Sequence, residues 1–215
     1  SAINEKNPEY TYALERKVPL IRRAEMLAEL MRLKKGIAIA GTHGKTTTTS
    51  FLSTILEESK YDPTYIIGGV VANLRGHAKV GKGEFLVAEA DESDGSFLLL
   101  NPIMSLITNI DNDHLDYYGS FQNLKDSFTE FANKVPFYGH CSINIEDENL
   151  RDIRKLIKKP VITFSLGKSN LSADFEARNI THQGTTAHYD LYVYNKFKVK
   201  LAINLPGEHN ILNSL

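Results

Sequence analysis

The sequence predicts an α/β fold: a mainly parallel sheet flanked by helices, with a small antiparallel β hairpin or sub-sheet near the C-terminal end. Short continuous apolar runs, typical of strands buried on both faces, alternate with stretches whose apolar residues recur at helical spacing. A glycine-bearing loop joins one such run directly to a helical stretch. After about Asn170 the pattern changes to period-two alternation, as in an antiparallel pair with one face solvated.

In chain order, residues 24–33 place Met26, Leu27, Leu30, Met31 and Leu33 at helical spacing, and Gly36 is the expected C-cap. The apolar run 37–40 is a buried strand, 41–45 a tight loop, and 46–60 a helix with Phe51, Leu52, Ile55 and Leu56 on one face. Further strands are expected at 64–67, 84–90, 103–110, 141–145 and 161–165. Phe121, Leu124, Phe128, Phe131 and Val135 mark one more helix, and Leu150, Ile153, Leu156 and Ile157 mark another over 146–158. Residues 187–194 and 197–205 alternate around Asn195-Lys196, which reads as a hairpin.

Composition narrows the function classes. With 215 residues, 42% hydrophobic and 24% charged, the chain has the make-up of a folded domain and not of a disordered one. Its 25 Lys and Arg nearly cancel 26 Asp and Glu, which argues against a nucleic-acid partner bound through overall charge. No apolar run approaches the roughly 18 residues of a membrane span. The first ten residues carry no secretory apolar segment, and the single Cys141 cannot staple the fold. The expectation is a cytoplasmic enzyme domain with neither nucleic acid nor membrane as partner.

Three clusters carry chemistry. Gly41-Thr42-His43-Gly44-Lys45-Thr46-Thr47 lies between the first apolar run and a helix. Glycines let a backbone approach a polyphosphate, and the N–H groups of a helix start stabilise its charge. Lys45 can reach terminal phosphates, and the Thr46 hydroxyl can ligate an accompanying Mg²⁺. The loop departs from the general phosphate-loop formula, whose first glycine would fall at Ile39. The plainer alternative is a tight strand-to-helix turn with a solvated lysine.

The second cluster, Glu89-Ala90-Asp91-Glu92-Ser93-Asp94, sets four acids at a strand end, where ligands bind in a doubly wound sheet. Such acids repel one another unless a cation sits among them. For Glu89 the reading is a metal ligand. For Glu92 and Asp94, stabilisation of a helix start is an equal alternative. The third cluster runs Thr108-Asn109-Ile110-Asp111-Asn112-Asp113-His114-Leu115-Asp116. In it His114 is either a metal ligand or acid–base group, or a hydrogen-bonded loop histidine.

Taken with Pro206-Gly207-Glu208-His209-Asn210 and Asn213, these clusters closely resemble the Mur ligases over nearly the whole chain. His43, where most members carry Asn, is similar to the two members that act on UDP-N-acetylmuramate itself. Glu92-Ser93-Asp94 and Asp116-Tyr117-Tyr118 are more similar to the one adding L-alanine than to the one adding a recycled tripeptide.

The resemblance implies ATP and Mg²⁺ as cofactors, with UDP-N-acetylmuramate and L-alanine as partners. Gly41, Thr42, His43, Gly44, Lys45, Thr46 and Thr47 would form the ATP loop, with Lys45 on the β/γ phosphates. Thr46 and Glu89 would hold one Mg²⁺ and His114 a second, making Lys45, Glu89 and His114 the catalytic set. Asn109 would lie near the nucleotide, and His209, Asn210 and Asn213 on its adenine and ribose side. ATP would phosphorylate the lactyl carboxylate, and the amino group of L-alanine would attack the acyl phosphate. The resemblance also implies a linker and leading helix over 1–35, a central ATP-binding domain over 36–205, and the start of an adenine-side helix over 206–215. The uridine-nucleotide domain and a closing third domain would lie outside this chain. Within the family the alternative is the member that adds a recycled tripeptide; from other classes the alternatives are a phosphate-loop nucleotide-binding module without ligase chemistry and a purely structural α/β module.

Overall fold

A computed structural model describes residues 3–69, 76–168 and 171–215. Two helices, α1 (Pro8–Glu15) and α2 (Arg23–Arg32), lead into β1 (Lys35–Ala40) and α3 (Lys45–Glu58). The chain continues through β2 (Thr64–Ile66), β3 (Ala78–Lys79), β4 (Phe85–Glu89), a 3₁₀ turn (Ser96–Leu99) and β5 (Met104–Ile107). Next come α4 (Leu115–Tyr118), α5 (Phe121–Ala132), β6 (His140–Asn144), α6 (Glu148–Arg154) and β7 (Val161–Ser165). The chain ends with β8 (Phe175–Gln183), β9 (Thr186–Val193), β10 (Lys196–Ile203) and α7 (Glu208–Asn213).

The strands form one sheet in the order β10-β9-β8-β7-β6-β5-β1-β4-β2-β3. From β2 across to β8 every pairing is parallel, while β3 pairs with β2, β9 with β8 and β10 with β9 antiparallel. Alternate residues of the central strands feed two cores. Ala38, Ala40, Leu86 and Ala88 face the side that buries Met31 of α2 and Leu124, Phe128 and Phe131 of α5. Ile37, Ile39 and Val87 face the other side, with Tyr65 and Ile67, where Leu52 and Leu56 of α3 pack. That is why β1 reads as an unbroken apolar run. Ser120 caps α5 by accepting from the Asn123 N–H at 3.1 Å, and Glu25 reaches back to the Arg22 N–H at 2.7 Å to start α2.

The expected strands and helices are present, with corrections. Gly36 is not a C-cap: α2 caps at Leu33, and Gly36 pairs with Leu86 inside β1. A Cβ there would lie 2.2 Å from Met31 Cγ, so glycine at this position lets α2 sit close on the strand. The last helix of the parallel part ends at Arg154 instead of 158. The expected antiparallel hairpin or sub-sheet is present. It is extended by the unexpected β8 into a three-stranded meander, joined to the parallel sheet through Phe164 opposite Phe175 and Ser165 opposite Glu176. Its turn is Tyr194-Asn195, both at positive φ (49° and 61°), because Lys196 already pairs with Val193. Leu166, Ala177, Ala187, Tyr189 and Ile211 of α7 form a third core beneath the meander. No helix among the described residues is long and apolar enough to cross a membrane.

Candidate active site at the ends of three parallel strands

Because β4, β1 and β5 are adjacent and parallel, the loops that follow them emerge at one end of the sheet. This brings all three sequence clusters together. In the loop after β1, Gly41 and Gly44 have φ of 130° and 85°, backbone that L side chains resist. A Cβ on Gly41 would lie 2.1 Å from Thr108 Oγ1, and one on Gly44 would lie 2.7 Å from Asn213 Oδ1. Both glycines therefore permit close approach by neighbouring segments.

The loop after β5 clamps this turn. The Thr42 N–H donates to the Asn109 carbonyl at 3.2 Å, and the His43 N–H donates to Asn109 Oδ1 at 2.8 Å. The His43 carbonyl accepts from Asn109 Nδ2 at 2.9 Å and from Thr108 Oγ1 at 2.6 Å. The Asp111 N–H donates to Thr42 Oγ1 at 2.9 Å. Asn109 thus shapes the loop through its own hydrogen bonds. The His43 imidazole is exposed, with Nε2 3.7 Å from Asp111 Oδ2.

Lys45 begins α3 and turns back over the loop. Its Nζ donates to the Gly41 carbonyl at 2.6 Å, the Thr42 carbonyl at 3.2 Å and Glu92 Oε1 at 2.8 Å. Glu92 is 1% exposed, and its Oε2 has no hydrogen-bond partner among the described residues. Burial raises its pKa, against the opposing pull of Lys45. The buried Tyr118 hydroxyl donates to the Glu92 carbonyl, and burial raises the phenol pKa as well.

The predicted metal ligands divide. Thr46 Oγ1 donates to Glu89 Oε2 at 3.1 Å, and the Gly68 N–H donates to Glu89 Oε1 at 2.7 Å. These are hard oxygen donors at the mouth of the 41–44 loop, a set that suits Mg²⁺ completed by phosphate and water. His114 faces Glu92 and Asp113 instead, with Nε2 3.8 Å from Glu92 Oε1 and 3.7 Å from Asp113 Oδ2. It adopts a left-handed backbone, φ 56°, as the residue that opens α4. Among the described residues no group of three or more His, Cys, Asp or Glu side chains is arranged to hold a metal. The helix-start alternative holds for Asp94, whose Oδ1 accepts from the Ser96 N–H at 3.0 Å at the 3₁₀ turn. Glu92 fits neither alternative; it is the buried partner of Lys45.

Of the residues expected on the adenine side, Asn213 abuts Gly44. His209 folds back over Gly207, and Asn210 Nδ2 donates to the Pro206 carbonyl at 2.6 Å. Thr47 lies in the first turn of α3. A cavity of about 500 Å³ reaches from Lys45 and Glu89 to a wall of Arg23, Met26 and Leu30 on α2. Sequence reasoning missed this wall, the Gly68 donor and the Tyr118 tie. None of them has a local sequence signal, since each depends on which distant segments the sheet brings together.

The Mur ligase middle domain family matches residues 39–215, and the Mur ligase family catalytic domain matches residues 1–35. The chain is 50% identical over 215 residues to UDP-N-acetylmuramate–L-alanine ligase of Geotalea daltonii, covering all of this chain and 46% of that protein. It therefore spans about half the length of the curated relatives it matches. The crystal structure of UDP-N-acetylmuramate–alanine ligase from Thermotoga maritima superposes with a TM-score of 0.82 at 28% identity, over 99% of this chain and 47% of that one. The UDP-N-acetylmuramate:L-alanyl-γ-D-glutamyl-meso-diaminopimelate ligase from Neisseria meningitides gives the same TM-score, 0.82, at 25% identity, over 98% of this chain and 68% of that one. A domain-wide family match and a shared half of all residues lead to one conclusion: the chain belongs to the Mur ligase family.

Proposed function

We propose that this chain is the ATP-binding and phosphoryl-transfer part of a cytoplasmic UDP-N-acetylmuramate–L-alanine ligase. In this reading ATP phosphorylates the lactyl carboxylate of UDP-N-acetylmuramate. The amino group of L-alanine then attacks the acyl phosphate, forming the amide and releasing phosphate. The observation that carries the reading is the convergence, at one sheet end, of Lys45, the Thr46–Glu89 oxygen pair and the clamped loop 41–44. The identity of about half over the whole chain to curated ligases of that name supports the choice of substrates.

Phosphoryl transfer depends on alignment and charge neutralisation more than on a dedicated acid or base. The N–H groups of the first turn of α3 would meet the polyphosphate, and Lys45 would supply a cation beside it. Thr46 and Glu89 would hold Mg²⁺, and His114 a second ion; the metal would supply neutralisation of the phosphate and carboxylate charge. Asn109 keeps the loop in its binding shape. Asn213, pressed against Gly44, links the adenine-side helix to the phosphate loop.

The test is ATP-dependent amide formation and phosphate release by the full-length protein with UDP-N-acetylmuramate and L-alanine. Lys45→Ala should lower the rate more than tenfold, which corresponds to about 1.4 kcal/mol of barrier. A variant within about twofold of wild type would refute the role of Lys45. The equal structural likeness to the tripeptide-adding ligase favours one second reading, so tripeptide is offered in parallel. Turnover with tripeptide and none with L-alanine would establish that alternative.

A further inference from the structure

We propose that Glu92 is a positioning residue for Lys45. In this proposal it is a buried carboxylate that keeps hold of the ammonium during nucleotide binding, so that Lys45 meets phosphate by giving up a loop carbonyl and not its ion pair. The proposal rests on the ATP-dependent reading above. An ammonium has three N–H donors. All three have acceptors here, in the Gly41 carbonyl at 2.6 Å, the Thr42 carbonyl at 3.2 Å and Glu92 Oε1 at 2.8 Å. Lys45 is hydrogen-bond saturated, so contact with a phosphate requires one acceptor to be released.

The three acceptors differ in what release leaves behind. Thr42 makes the longest contact and is half-buried, so water can replace the ammonium at its carbonyl. Glu92 is 1% exposed and its second oxygen already lacks a partner among the described residues. Taking its cation away would strand a buried charge, the costly way to break such a pair. Glu92 is also anchored from behind, because Tyr118 donates to its main-chain carbonyl and ties the loop after β4 to α4. The ammonium therefore pivots about a fixed carboxylate.

This arrangement has an electrostatic consequence. The pair aims the lysine but cancels most of its charge, so the phosphate loop holds nucleotide less tightly than a free lysine would. Glu92→Gln keeps the shape and removes the negative charge. ADP should then bind a few-fold more tightly while kcat for ligation falls at least tenfold, since the ammonium is no longer aimed. Glu92→Asp keeps the charge on a shorter stem and should recover part of kcat.

The experiment measures ADP affinity by calorimetry, ligation kinetics and melting temperature for the full-length wild type, Glu92→Gln and Glu92→Asp. Opposite movement of affinity and kcat supports the proposal. An unchanged kcat in Glu92→Gln overturns it, as does a parallel loss of affinity, kcat and melting temperature, which would mark a structural role. A second measurement needs no Glu92 variant. It is the ¹H–¹⁵N signal of the Lys45 ammonium in wild type, assigned by its absence in Lys45→Ala. A protected signal that persists on adding ADP supports the proposal. A signal that vanishes, as for a lysine swung into solvent, overturns it. A wild type that neither binds ADP nor ligates refutes the functional reading and this proposal together. An active wild type with an unaltered Glu92→Gln refutes this proposal alone.

Discussion

Asn109→Ala should loosen the 41–44 loop without disturbing the sheet beneath it. The side chain makes two hydrogen bonds to the His43 main chain, accepting from its N–H at 2.8 Å and donating to its carbonyl at 2.9 Å. A net contribution of about 0.5–1.5 kcal/mol each gives a total of about 1–3 kcal/mol. Because Asn109 is half-buried, water can replace part of what is lost, and the expected value lies at about 1–2 kcal/mol. The main-chain bond from the Thr42 N–H to the Asn109 carbonyl survives the substitution and keeps the two loops in register. In a domain of this size each kcal/mol moves the melting temperature by about 2–4 °C, so the shift should be about 2–8 °C. Asn109→Asp is a sharper probe. It retains the acceptor but sets a carboxylate oxygen against the His43 carbonyl, so it should be at least as destabilised as Ala. Urea unfolding of this chain, followed by circular dichroism, gives both numbers. A loss below about 0.5 kcal/mol, the range of ordinary surface substitutions, would show that Asn109 does not set the loop.

Two further substitutions probe the neighbourhood and the sheet. Gly44→Ala must hold a φ of 85°, costing about 1–3 kcal/mol, and must also push its Cβ against Asn213 Oδ1 at 2.7 Å. Adding Asn213→Ala should recover only the contact part, and strictly additive urea-unfolding energies would show that α7 does not press on the loop. His140, half-buried at the start of β6, has its pKa lowered from 6.5 by burial. The unfolded chain takes up a proton there before the folded one does, so stability should fall as pH drops below about 6.5 toward the folded value. Asp62 and Asp152, held low by hydrogen bonds from Lys79 and Lys125, lose their contribution only as pH falls through the acid range below 3.8. His140→Asn should therefore flatten the melting-temperature profile just below pH 6.5 and leave the acid limb, and an unchanged profile would refute the assignment.

Legibility in the sequence followed the kind of signal each element carries. β1 and β4 are buried on both faces and show as unbroken apolar runs. The helix α5 shows through the spacing of Leu124, Phe128 and Phe131. β8 escaped because its alternation is broken. Asn179 adopts φ 54° and the register shifts between Arg178 and Thr181, so the two halves of the strand are out of phase. α1 buries no residue, so it has no apolar stripe to read. The clustering of candidate site residues was legible because strand ends of a parallel sheet converge. The pairing of Lys45 with Glu92 was not, since no local pattern distinguishes the acid of that cluster that turns inward from those that stay wet.

The position of β1 in the sheet also bears on how the chain is made. This central strand is synthesised before either of its neighbours, which begin only at Phe85 and Met104. At about 5–20 residues per second, the first of them follows roughly 2–9 s behind. For that interval an apolar segment with two open edges waits on the nascent chain, a template for pairing with the wrong partner. Lys34 precedes it and Lys35 is its first residue. In the finished fold Lys34 donates to the Gly81 and Gly83 carbonyls and Lys35 pairs with Glu84, the residue just before β4. The same two charges that guard the strand while it waits later fasten the segment that brings its first neighbour.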